Sequence, residues 1–148
     1  MGRALGVDVG QRRTGLAISD PLRVTCTPLS VVAENRPDLL VKTIVGTARK
    51  EHAELIVVGV PRPLRCDRNA QVDRILGIVG RLRTATRLPV ITWDERFTTK
   101  LAKSLPARNG EIDAVAAAYM LQGYLDSCRA EERATEEQTT GAEHLEDE

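Results

Sequence analysis

Three acidic residues stand where a carboxylate needs a reason. Asp8 lies inside the apolar run of residues 4–9, near its carboxyl end. An ionised carboxylate in such surroundings is costly unless it is paired or bound to a cation. Gly6 and Gly10 flank it at i−2 and i+2 and leave that side open to close approach. Glu95 follows a second short apolar segment, in Trp93-Asp94-Glu95-Arg96, and Asp113 opens a stretch with the small residues Ala114, Ala116 and Ala117. Taken singly, each has an ordinary explanation: a turn-forming Asp before glycine, a surface ion pair with Arg96, an acid in a helix first turn. Three carboxylates in one crevice repel unless cations neutralise them. Hard divalent ions suit such oxygen donors, Mg2+ or Mn2+ foremost. Two such ions about 4 Å apart would activate water and hold the leaving oxygen of a phosphodiester. Arg12, Arg13, Arg62 and Arg96 would then position phosphates.

The elements that must carry these residues follow from hydrophobic pattern. Residues 4–9 (ALGVDV) form a near-continuous apolar run, expected as a strand buried on both faces. A polar turn at 10–13 leads to a second strand over 14–19 (TGLAIS), and Asp20-Pro21 ends it. A third strand is expected over 27–32. Pro37 opens a helix in which Leu39, Leu40, Ile44, Val45 and Ala48 recur at helical spacing. A strand at 55–59 runs into a Pro- and Arg-rich loop at 60–67. The next helix, 70–84, carries a stripe of Val72, Ile75, Leu76, Val79 and Leu82. A fifth strand is expected at 89–93, a short helix at 98–104, and a last helix at 112–125 that is apolar nearly all round and therefore buried. A three-strand antiparallel meander followed by two parallel strands gives an α/β fold: a five-stranded mixed sheet with helices on its faces. Ligands in open sheets gather outside the carboxyl ends of the strands, where Asp8 and Glu95 fall.

Charge divides the chain. Lys plus Arg and Asp plus Glu are 21 each, a formal zero that alone argues against a basic nucleic-acid binder. Residues 1–130, however, hold 20 basic and 13 acidic residues, a balance of +7, and 16 of the 20 are Arg, the side chain best shaped to fork a phosphate. Residues 131–148 hold eight acids and one base, a balance of −7. The expected organisation is one domain over 1–126 and an acidic tail over 127–148, disordered or a frayed helix. Such a tail would fold over the basic surface and compete with weakly bound nucleic acid. One Trp, two Tyr and one Phe argue against a single-strand stacking platform. Cys26, Cys66 and Cys128 form no CxxC pair, and His52 and His144 are the only histidines. A zinc site and a Cys/His or Ser/His/Asp centre are poorly supported. The odd cysteine count, with no secretory pattern and no apolar run of membrane length, fits a cytoplasmic protein.

Four segments in order resemble the bacterial YqgF/RuvX family. They are Gly6-Val7-Asp8-Val9-Gly10 with Arg13-Thr14-Gly15-Leu16-Ala17 and Ser19-Asp20-Pro21; Ile56-Val57-Val58-Gly59-Val60-Pro61; Asp94-Glu95-Arg96-Phe97-Thr98-Thr99; and Asp113-Ala114-Val115-Ala116-Ala117 through Leu121-Gln122-Gly123-Tyr124-Leu125. The resemblance spans residues 1 to about 126. It implies a ribonuclease-H-like fold related to RuvC-type Holliday-junction resolvases, and pre-16S rRNA nuclease activity in small-subunit rRNA maturation. It places the family's acidic positions on Asp8, Glu95 and Asp113, as metal-holding catalytic residues. Arg12, Arg13, Arg62, Arg65, Arg96 and Thr98 make up the expected nucleic-acid-binding set. Two departures stand out: the loop after Pro61 reads Arg62-Pro63-Leu64-Arg65-Cys66-Asp67-Arg68-Asn69-Ala70-Gln71 where the family has small and acidic residues, and the segment between Glu95 and Asp113 is short.

The expected function is a nuclease of structured RNA that uses Mg2+ or Mn2+, two ions at the site, and acts on pre-16S rRNA or ribosomal particles. A junction-specific DNA endonuclease acting on branched DNA is the first alternative and would require a stable dimer; the chain is otherwise expected as a monomer or weak homodimer without a membrane partner. An RNA-binding assembly factor without catalysis, and an actin-like or sugar-kinase-like nucleotide binder, are less favoured. The kinase reading needs two copies of this fold, more than 148 residues hold.

Overall fold

The two N-terminal apolar runs lack polar alternation, and in a computed structural model of the chain both are strands buried on two faces: β1 (Arg3–Val9) and β2 (Thr14–Ser19). The structure describes residues 2–61, 70–94 and 111–146. β2 turns at Asp20, whose Oδ1 accepts hydrogen bonds from the Val24 and Thr25 amides at 2.7 and 2.9 Å, into β3 (Cys26–Val32). Arg23 takes a left-handed φ of 56° in this turn, and its Nε donates to the Gly2 carbonyl at 2.6 Å.

Pro37 starts helix α1 (Pro37–Lys50), with Asp38 in its first turn and Arg49 and Lys50 in its last, as the helix dipole favours. The chain reverses at Glu51 and His52 into β4 (Ala53–Val60). Helix α2 (Ala70–Ala85) and strand β5 (Val90–Asp94) follow. The last helix, α3, spans Glu111–Glu146. The strands order as β3-β2-β1-β4-β5, with β1, β2 and β3 antiparallel and β4 and β5 parallel to β1. The expected mixed sheet is therefore present, with its parallel strands ending on one side.

Alternate residues of β1 feed two cores. Leu5, Val7 and Val9 pack with Leu40 and Ile44 of α1 and Ile75 and Leu82 of α2. Ala4 faces the other way, with Ala17 and Val57, against Ala117 and Leu121 of α3. The residues on this second face are small for a reason. A Cβ built on Gly6 would stand 2.9 Å from the Leu121 Cβ, and one on Gly15 would stand 1.9 Å from the Asp113 carbonyl oxygen. The sheet thus admits the α3 backbone directly.

Several expectations shift in detail. In α2 the buried stripe is Val72, Ile75, Ile78, Val79 and Leu82; Ile78, not Leu76, completes it, because the sheet lies slightly to that side of the helix. In α1 Val41 is buried and Leu39 is not fully so. α3 is buried or half-buried along residues 112–125 except at Tyr119, which is exposed. The helix continues beyond Leu125 to Glu146, and residues 130–137 lie exposed. It runs antiparallel to β1, from Asp113 beside Gly15 to Gln122, whose Nε2 donates to the Val24 carbonyl at the opposite end of the sheet. The acidic stretch that follows therefore leads away from Asp8, not back over the basic residues beside it. The short helix expected at 98–104 lies outside the described residues.

Candidate active site

The site begins with register. Asp8 is directly opposite Gly15 in the β1–β2 ladder. Cα atoms opposite one another in an antiparallel pair are about 4.5–5.5 Å apart. Because Gly15 has no side chain, the backbone of Asp113 settles on it. The Asp8 Cα and the Asp113 carbonyl oxygen therefore lie within about 9 Å of each other. Two aspartates 105 positions apart in sequence, one on a strand and one in the first turn of a helix, are thus brought to the same end of the sheet. Both are half-buried.

The β1–β2 turn brings basic groups to this end of the sheet. Its Gly10 amide donates to the Arg13 carbonyl at 2.9 Å, and a Cβ on Gly10 would meet that oxygen at 2.3 Å, so the turn closes only with glycine there. Arg12 and Arg13 are both exposed in this turn. Arg13 Nε reaches Asp113 Oδ2 at 3.7 Å. This partly exposed pair adds little stability by itself, but it draws the turn toward the start of α3.

The turn is also held from behind. Arg74 of α2 donates through Nη1 to the Gly10 carbonyl at 2.6 Å and through Nη2 to the Asn35 carbonyl at 3.0 Å. Gln71 Nε2 donates to the Val9 carbonyl at 3.1 Å. One guanidinium thereby ties the end of β1 to the β3–α1 connection. Sequence reasoning missed Arg74 in this role: it lies off the apolar stripe of α2, and a helix wheel shows only that it is polar.

The parallel strands end close to the same level. Val7 pairs with Val58 of β4, and Val58 with Thr92 of β5, so β5 ends at Asp94 about one residue past the level of Asp8. Trp93 meets Tyr124 of α3 edge-on, with ring centroids 5.5 Å apart at 74°. This contact fastens the end of β5 to the helix that carries Asp113. Burial, and then a hydrogen bond with Cys128, push the Tyr124 hydroxyl up to about 12. Burial likewise pushes the Cys26 thiol to about 12, leaving it a packing group and not a nucleophile.

Of the expected site residues, Asp8 and Asp113 lie on either side of Gly15, Arg13 pairs with Asp113, and Arg12 is exposed in the same turn as Arg13. Glu95, Arg62, Arg65, Arg96 and Thr98 lie outside the described residues. Among the described residues there is no group of three or more His, Cys, Asp and Glu able to hold a metal ion, and no helix long and apolar enough to cross a membrane.

The mixed five-stranded sheet, ordered β3-β2-β1-β4-β5 with α3 packed on one face, is the fold of RuvC-type resolvases. Thermus thermophilus RuvC in complex with Holliday junction substrate aligns with a TM-score of 0.60 at 16% identity, covering 86% of this chain and 96% of that one. The Fowlpox virus resolvase bound to Holliday junction DNA aligns at 0.56 and 10% identity, over 85% and 98%. At these identities the likeness speaks for the fold, which is ribonuclease-H-like. A family model described as "RuvX: Holliday junction resolvase" matches residues 2–127, and the chain belongs to that family. A Desulforudis audaxviator protein named "Putative pre-16S rRNA nuclease" is 33% identical over 133 residues, covering 84% of this chain and 94% of that protein. A Roseiflexus protein of the same name is 34% identical over 136 residues, covering 86% and 96%.

Proposed function

We propose that this protein is a divalent-metal-dependent nuclease that hydrolyses phosphodiester bonds in structured RNA, acting in 5′-end maturation of pre-16S rRNA. The observation that carries the reading is the convergence of Asp8 and Asp113 through Gly15 at the carboxyl end of β1. Relatives about a third identical over most of their length carry the rRNA nuclease name, which supports RNA as the substrate.

The donor set fits a hard divalent ion. Mg2+ is commonly held by one or two carboxylates, with water and substrate phosphate oxygens completing its shell. Asp8 and Asp113 supply two carboxylates, and Glu95, one residue past β5, is the proposed third. When bound, the metal would polarise the phosphate and lower the pKa of the attacking water. Arg13 restrains the Asp113 carboxylate from the solvent side and, with Arg12, offers guanidinium donors to phosphates flanking the cleaved bond. Arg74 keeps the turn bearing both arginines in place. Arg62, Arg65, Arg96 and Thr98 extend the proposed contact set. The protein is proposed to work in the cytoplasm.

A second reading, cleavage of four-way DNA junctions, is favoured by the family model's description. The deciding experiment incubates purified protein with precursor 16S rRNA and with four-way junction DNA, in Mg2+ or Mn2+. The precursor should be cut, and Asp8→Asn and Asp113→Asn should each slow cutting about 100-fold or more, some 3 kcal/mol of transition-state stabilisation. Equal cutting by wild type and Asp8→Asn would remove the assigned site. Cutting of the junction alone would select the second reading.

A further inference from the structure

At the end of the sheet opposite Asp8, a cleft of about 990 Å³ opens between the last turns of α1 and α2. Val45, Ala53, Leu88 and Val90 form its apolar floor, and Arg49, Arg83 and Arg87 stand around it together with Thr84 and Thr86. No acidic residue lines it. Arg83 spends part of its guanidinium on the Val90 carbonyl, through Nε at 3.3 Å and Nη2 at 2.9 Å. Arg49 and Arg87 make no side-chain hydrogen bond or ion pair among the described residues.

Arginines near helix C-termini have a bland purpose, compensation of the dipole. The magnitudes show that this does not use them up. Two helix ends amount to roughly one negative charge between them. Three guanidiniums exceed that by about two positive charges, in a concave site with apolar walls. Such a site focuses its field on an anion. The chain's own acidic stretch leaves the sheet at this same end but continues α3, whose packed part lies on the opposite face from α1 and α2.

We infer that this cleft is a second anion site, one that takes phosphate groups of a polynucleotide away from the carboxylates. Ala53 and the strand level of Asp8 are about six residues apart along β4, or about 20 Å. The carboxylates lie on the α3 face and the cleft on the α1–α2 face, so a ligand reaching both must be a polymer that passes around the sheet, with the cleft gripping flanking nucleotides and the reacting phosphate left to the site at the other end. The choice of RNA as that polymer rests on the proposed nuclease function; the anion site itself does not.

The test uses the full chain and Arg49→Ala/Arg87→Ala, which spares the Arg83–Val90 contacts. In EDTA, binding of a labelled 20-nucleotide single-stranded RNA is measured against KCl concentration. Two lost phosphate contacts should flatten the slope of log affinity against log salt by about 1.4, at about 0.7 per contact. Arg49→Lys/Arg87→Lys should restore most of it. Separately, pyrophosphate should shift the backbone amide resonances of Thr86 and Arg87 in wild type and not in the alanine variant. An unchanged slope, or amides that ignore pyrophosphate, would overturn the inference. A wild-type dimer that dissociates in the alanine variant would assign the cleft to an acidic helix of a second copy and overturn it too. RNA cutting by wild type, assayed in parallel, reports on the nuclease reading independently: a changed slope without cutting keeps the cleft and loses the nuclease, and cutting with an unchanged slope does the reverse.

Discussion

Gly15 and Asp113 are in backbone contact: a Cβ on the glycine would lie 1.9 Å from the aspartate's carbonyl oxygen. Because the obstructing atom is main chain, no side-chain rotation relieves the clash. Gly15→Ala should therefore push the start of α3 off the sheet and carry Asp113 away from Asp8. We expect a loss of about 1–3 kcal/mol or more in urea unfolding, together with loss of metal-dependent cleavage. Asp113→Asn, which keeps the backbone, should lose cleavage but keep stability. Gly15→Ala with wild-type stability would show that α3 does not depend on this contact.

Arg74 links the Gly10 and Asn35 carbonyls, and both hydrogen bonds carry the guanidinium's charge. Arg74→Ala should cost about 1–3 kcal/mol in stability. It should also lower kcat with little change in KM, because it loosens the turn that orients Arg13 without itself touching substrate. A stability change with unaltered kinetics would limit Arg74 to a structural role.

The Thr14 hydroxyl is fully buried and has no hydrogen-bond partner among the described residues. Thr14→Val keeps the branched shape and removes the unsatisfied group. Removing an unpaired buried hydroxyl should be neutral or stabilising, by up to about 1 kcal/mol. Thermal unfolding reads this directly; a fall in Tm would mean that the hydroxyl has a partner in solution.

Asp20 holds the β2–β3 turn, and the Thr25 and Val24 amides bonded to its carboxylate lower its pKa. A carboxyl whose folded pKa lies below its unfolded value contributes stability above the unfolded value and loses it as pH falls through the folded one. The Tm gap between wild type and Asp20→Ala should therefore be present at neutral pH and shrink in acid below the usual aspartate range. A gap independent of pH would assign the effect to packing, not to the carboxylate.

Much of the fold was legible in the sequence. Apolar runs such as ALGVDV and TGLAIS lack polar alternation because both faces of a central strand are covered, and their order gave the meander and the two parallel strands. The phase of α2 was less legible, since periodicity allows Leu76 or Ile78 on the stripe and only the sheet's position chooses between them. The length of α3 was not legible either. A run of Glu and Thr lacks the apolar face by which a helix is read, yet here it continues a helix already nucleated by packing.

The sequence by itself determined which residues could do chemistry. A carboxylate in a buried run, flanked by glycines, marks a candidate site through the cost of burying charge. What the sequence did not contain is the distance between Asp8 and Asp113. That distance follows from a ladder register that sets Gly15 opposite Asp8, and from a missing side chain that lets α3 rest there. Arg74's hold on the turn, and the arginine cleft at the far end of the sheet, likewise depend on contacts between elements far apart in the chain. Local pattern records what each segment buries; which segments meet is decided only when helices and strands pack together.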